Sequence, residues 1–125
     1  MMETPFSSAQ MAAYRLGALR KRKDAELRRK MRLERGWEVA RRAAALLEEN
    51  FHVRKVVVFG SLLRPEQFGA RSDVDLAVWG LADDDLLRAV AAVTSLDGEI
   101  SVDLIAAEQA SPGLLQHLEK EGREI

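Results

Sequence analysis

At 125 residues with 47% hydrophobic content, the chain can build one compact core but not a second independent domain of ordinary size, so one domain plus an appendage is expected. The lack of cysteine excludes disulfides, thiolate zinc sites and a cysteine nucleophile, and no apolar run approaches the ~20 residues that span a bilayer; with no apolar signal-peptide core, a cytoplasmic protein without a membrane partner is expected. The net charge of −1 hides a polarity, because residues 1–50 hold 12 Lys and Arg against 7 Asp and Glu, and residues 51–125 hold 7 against 13.

From Ser7 to about Phe51 almost every residue favours helix, and Ser7 and Gln10 have the spacing of a capping box. The reading is one long helix, or two joined near Gly36. Its second part carries an apolar seam, Leu33, Trp37, Ala40, Ala44, Leu47 and Phe51, stepping by four and three so that all lie on one face. That face is expected to pack on the domain formed by the rest of the chain. The first part has little to bury: Met11, Tyr14, Leu16 and Leu19 are separated from Leu27 and Met31 by the charged run Arg20-Lys21-Arg22-Lys23-Asp24. The expected division is a basic helical extension over residues 1–35 and a domain over 36–125.

Beyond Phe51 the pattern changes to short elements. Val56-Val57-Val58-Phe59 reads as a strand buried on both faces and ended by Gly60. Val74, Leu76 and Val78 alternate with Asp73, Asp75 and Ala77, predicting a strand that buries one face and presents carboxylates on the other. Ile100, Val102 and Leu104 alternate likewise with Ser101 and Asp103. Between these two, Asp83 or Asp84 is placed to cap a helix through Leu86, Leu87, Val90 and Val93 that Asp97-Gly98 stops. Ser111-Pro112 opens a last helix that ends near Gly122. The fold class expected is α+β: a mixed sheet with helices against one face, plus the long amino-terminal helical extension.

Two aspartates at alternate positions of one strand point the same way with Cα atoms about 6.6 Å apart. Like charges about 4 Å apart repel by about 4 kcal/mol at an effective dielectric near 20, so Asp73 and Asp75 are unfavourable together unless a cation joins them. Asp103, on the strand expected beside them, would supply a third oxygen ligand, and an all-oxygen set suits magnesium or manganese better than zinc. Upstream, Gly60-Ser61 follows a strand, where glycine lets backbone approach a ligand and serine adds a hydroxyl to exposed N–H donors, a place for phosphate oxygens.

The order Gly60-Ser61, a loop with Arg64 and Arg71, Ser72-Asp73-Val74-Asp75-Leu76 and a later acidic residue resembles the polymerase-beta-like nucleotidyltransferase superfamily. Within it the chain looks most like the minimal nucleotidyltransferases (MNT), antitoxins paired with helical HEPN toxins, over about residues 52–125 including Leu118-Glu119-Lys120-Glu121-Gly122. The resemblance implies a central mixed sheet, two magnesium ions and ATP as substrate, with AMP passed to a hydroxyl of the HEPN-type partner. It also implies roles: Asp73 and Asp75 bind both metals, Asp103 binds the catalytic one and helps activate the acceptor, Gly60 and Ser61 hold triphosphate, and Arg64 neutralises phosphate charge. The gap from Ser61 to Asp73 is one residue longer than the family's usual spacing, and Pro65 stands where glycine commonly follows the arginine.

Other features are weighed and set aside. His52 and His117 have no metal-ligand spacing, which favours structural or surface roles over catalysis, and they are assigned nothing. Trp37 belongs to the seam, Trp79 to a rim or partner interface, and nothing selects Tyr14. Asp83-Asp84-Asp85 is read as a helix cap. The competing functions are nucleotide transfer to a small molecule or an RNA end, a decayed enzyme that neutralises its partner by binding, and nucleic-acid binding by residues 15–35, which is not favoured and predicts a steep salt dependence. Homo-oligomerisation is left open.

Overall fold

Almost every residue from Ser8 to Phe51 favours helix, and in the computed structural model, which describes residues 6–125, they form a single helix, α1 (Ser8–Phe51). Its start is the capping box: the Gln10 N–H donates to Ser7 Oγ at 3.1 Å and the Ser7 N–H to Gln10 Oε1 at 2.7 Å. Gly36 does not divide it. A Cβ there would stand 2.9 Å from both Leu62 and Phe68, so the glycine is used for close packing of a loop against the helix rather than for a bend. The first part of α1 leaves Tyr14, Leu16, Leu19, Leu27 and Met31 exposed, whereas the seam residues Ala40, Ala44 and Leu47 are buried and Leu33, Trp37 and Phe51 pack against them partly covered. No helix among the described residues is long and apolar enough to cross a membrane.

The helix ends on His52, which adopts the left-handed conformation at φ 54° and ψ 37° and donates its N–H to the Leu47 carbonyl. A side chain there works against the backbone, which is why glycine is the usual residue at such an end. His52→Gly is expected to raise stability by about 0.5–1 kcal/mol, read as a higher urea midpoint at unchanged slope. A lower midpoint would contradict it.

The sheet has four strands in the order β3-β2-β1-β4: β1 (Lys55–Phe59), β2 (Val74–Trp79), β3 (Val102–Ala106) and β4 (Arg123–Glu124). β1 pairs antiparallel with β2 and β4, and β2 pairs parallel with β3 through the crossover helix α2 (Leu86–Thr94). Val56, Val58, Leu76, Val78, Val102 and Leu104 face α1 and α2 and make the main core. Strand alternation sends Val57 and Ala77 to the other face, where Leu118 of α3 (Pro112–Glu121) covers them. Helices therefore lie against one face in force, while α3 partly covers the second, and it is on that half-open second face that Asp75 and Asp103 fall.

Three local expectations are refined. The third strand runs Val102–Ala106, two residues later than its alternation implied. β4 was not anticipated: after Gly122 the chain has only Arg123 and Glu124 to pair with Val58 and Val57, too few for any periodic signal. The three aspartates before α2 form a 3-10 turn, Asp83–Asp85, but no aspartate side chain there makes a capping hydrogen bond, because Asp85 turns instead to Arg88. Their value is limited to negative charge at the helix start.

After α2, Asp97 accepts from the Glu99 and Ile100 N–H groups, each at 3.0 Å, and from Arg35 Nη2 at 2.9 Å. The Arg35 hydrogen bond first, then the backbone donors, hold its carboxyl at about 2 against an ordinary 3.8. Since the folded value lies below the unfolded one, this stabilisation is full above about 4 and is lost as pH falls towards about 2. Asp97→Ala is expected to cost about 2 kcal/mol at pH 7. The deficit should shrink in chemical-denaturation curves taken at progressively lower pH; a deficit independent of pH would refute the assignment.

Candidate active site

The site grows from the carboxyl end of β1. Phe59 is the cross-strand partner of Asp75, and Asp75 is in turn the partner of Asp103 across the parallel β2–β3 ladder. Register alone thus brings two carboxylates from distant parts of the chain side by side. Asp73 stands one residue ahead of β2 and, by alternation, on the same side as Asp75.

Gly60 follows Phe59 with φ 77°, a conformation that favours glycine. A Cβ there would lie 2.3 Å from Asp75 Oδ2, so the Asp75 carboxylate closes over the bare backbone of this residue. Gly60 through Leu63 form a 3-10 turn in which Leu62 is buried as the anchor and Ser61 is half-exposed. Arg64 ends the turn: its N–H donates to the Ser61 carbonyl at 3.0 Å, and its own carbonyl accepts from Gln67 and Phe68. Its side chain is exposed and makes no ion pair among the described residues.

The electrostatics of the acidic cluster are unfavourable as it stands. Asp75 is pushed up to about 6, first by burial, then by the charge of Asp103 and then by that of Asp73. None of the three has a cationic partner among the described residues. Nor are any three Asp, Glu or His side chains there drawn tightly enough together to hold a metal ion without adjustment, as mutual repulsion leads one to expect. The donor set fits a hard divalent cation on chemical grounds: three carboxylates on one face, all oxygen, their charge uncompensated.

The structure therefore brings Gly60, Ser61, Asp73, Asp75 and Asp103 to one end of the sheet, while no contact joins the exposed Arg64 side chain to the three aspartates among the described residues. Sequence reasoning missed Arg32, whose guanidinium reaches the carbonyls of Gly69 and Ser72 at 2.7 and 3.2 Å. It also missed Phe68, fully buried beneath that loop. Nothing in the basic run around Arg32 distinguishes it from its solvated neighbours.

The family model described as polymerase beta, nucleotidyltransferase, matches residues 42–125. Among solved structures, a toxin-antitoxin with AMP-PNP is similar at 26% identity and a TM-score of 0.55, the match covering 65% of this chain and 67% of that one. A mutant toxin-antitoxin containing MntA matches at 22% identity and TM-score 0.56, covering 68% of this chain and 70% of that one. The toxin-antitoxin MntA-HepT matches at 22% and 0.53, covering 70% and 69%. The last two speak for the fold alone. No protein of curated function matches the sequence.

Proposed function

The chain belongs to the polymerase beta nucleotidyltransferase family, and from that premise we propose that it transfers AMP from magnesium-bound ATP to a hydroxyl of a partner protein, a HEPN-type toxin that it restrains as an antitoxin. The observation that carries this reading is the register that sets Asp75 between Asp103 on one side and the bare Cα of Gly60 on the other. The similarity to a toxin-antitoxin with AMP-PNP supports the choice of nucleotide and of partner class. The division into a basic extension over residues 1–35 and a catalytic domain over 36–125 is part of the same reading.

In this mechanism Gly60 N–H and Ser61 Oγ bind triphosphate oxygens, and Arg64 adds positive charge. Asp73 and Asp75 would hold two magnesium ions and Asp103 one of them. Magnesium, when bound, neutralises phosphate charge and steadies the attacking and leaving oxygens of an in-line displacement. The acceptor hydroxyl oxygen bonds to the α-phosphorus as the bond to the β-phosphate bridging oxygen breaks, and pyrophosphate leaves with the electron pair. Asp103, exposed on the edge strand, takes the hydroxyl proton and returns it to solvent.

The test is incubation with α-labelled ATP and magnesium, with and without the HEPN-type protein of the same genome, beside an Asp73→Asn/Asp75→Asn control. Label on the partner that requires both aspartates is expected. Label on RNA or a small molecule instead would replace the acceptor, and tight partner binding without any transfer would replace enzyme by binding protein.

A further inference from the structure

Between the Gly60-Ser61 turn and Asp73 lies a loop with no regular structure of its own beyond turns, and something must fix where it delivers Asp73. We infer that Arg32, which lies outside the family-matched residues 42–125, is a positioning residue that clamps the end of this loop and so sets the place of Asp73. The inference rests on the reaction proposed for the Asp73, Asp75 and Asp103 site.

Arg32 makes three contacts, and two helix neighbours add one each. Arg32 Nε donates to the Gly69 carbonyl at 2.7 Å and Nη2 to the Ser72 carbonyl at 3.2 Å, so one planar guanidinium spans the segment that ends beside Asp73. The same group stands 6.0 Å from the ring centroid of Phe68, which is fully buried. One turn along α1, the bare face of Gly36 admits Phe68 and Leu62, and one turn back, Arg29 Nη2 donates to the Glu66 carbonyl at 2.6 Å.

The loop closes on itself as well: Ser72 Oγ accepts from the Gly69 N–H at 3.0 Å and donates to the Gln67 carbonyl at 3.2 Å. Immediately after Asp73, the Val74 N–H enters the sheet by donating to Ser101. Asp73 is thus suspended between a sheet hydrogen bond on one side and the Arg32 clamp on the other. Its own side chain is exposed and makes no ion pair among the described residues, so the backbone on either side determines where it points.

Two carbonyls at fixed separation require a fork of donors in one plane, which arginine has and lysine lacks. Loss of the clamp returns conformational freedom to Gly69 through Asp73 but leaves the Gly60-Ser61 turn, anchored by buried Leu62, in place. The consequence is a larger defect in turnover than in nucleotide binding, because the triphosphate contacts proposed at Gly60 and Ser61 stay in place.

The experiment uses the full chain as Arg32→Ala and Arg32→Lys. In Arg32→Ala, amide exchange at Gly69 through Asp73 is expected to accelerate by ~10-fold or more. The kcat for AMP transfer is expected to fall ~10–100-fold, with KM for ATP changed by less than ~3-fold. Arg32→Lys should recover only a small part of either. Unchanged exchange in that segment, full recovery by lysine, or a loss of kcat matched by an equal fraction of unfolded chain would each overturn the assignment. Should the wild-type chain transfer nothing, the proposed reaction fails, while the exchange result still decides the clamp: faster exchange in Arg32→Ala upholds it and unchanged exchange overturns it.

Discussion

Replacing Asp75 by asparagine is expected to drive activity and stability in opposite directions. Transfer should fall on the order of 1,000-fold, because a ligand carboxylate shared by both proposed magnesium ions is lost. The metal-free fold, by contrast, should become more stable at neutral pH. The folded-state value of Asp75 stands at about 6, above the ordinary 3.8, so between those values the folded protein binds more protons than the unfolded chain. Stability of the metal-free protein therefore declines as pH rises through that window, and the full penalty persists above about 6. With Asp75 half-exposed and screened by solvent, the penalty is on the order of 1 kcal/mol. Urea denaturation in EDTA should show Asp75→Asn more stable than wild type at pH 7 and equal to it near pH 4, and magnesium should narrow the gap at pH 7. A variant less stable than wild type at both pH values would mean that Asp75 is held by partners other than its repelling neighbours.

Gly60→Ala should be the most damaging change that leaves every functional group in place. The added carbon meets Asp75 Oδ2 at 2.3 Å, and the backbone, at φ 77°, lies where an alanine is strained by about 1–2 kcal/mol. Either the turn or Asp75 must move, and a displacement near 1 Å at a reacting centre costs about 100-fold in rate. We expect that loss with native helix content by circular dichroism. Adding Asp75→Ala to Gly60→Ala should restore part of the lost stability by relieving the contact but none of the activity. Wild-type turnover in Gly60→Ala would show that the backbone at this position does not approach the substrate.

Both predictions start from features that are partly legible in the chain. Alternation of Val74, Leu76 and Val78 with Asp73, Asp75 and Ala77 is a local, period-two signal, and it suffices to put the aspartates on one face. Gly60 is legible as the end of a buried strand, but not that Asp75 closes over it. That contact depends on Phe59 pairing with Asp75, a choice of register between segments with no sequence mark to fix it. Asp103 is expected beside the pair; that it stands level with Asp75 is a result of the parallel ladder.

By itself the sequence determined what short-range physics decides. It set the helix opened by Ser7 and Gln10, the strand periods, the cap at Ser111-Pro112 and the charge pattern that makes an acidic site unstable without a cation. Tertiary structure alone decided the rest: the placement of α3 on the second face, the pairing of Arg123 and Glu124 with β1, the passage of Phe68 over Gly36, and the reach of Arg32 to carbonyls 37 and 40 residues away. Periodicity and capping act within a few residues and leave a trace in composition. A guanidinium that finds two backbone carbonyls leaves none, because every residue has a carbonyl, and only the packing of helix against loop selects which two it meets.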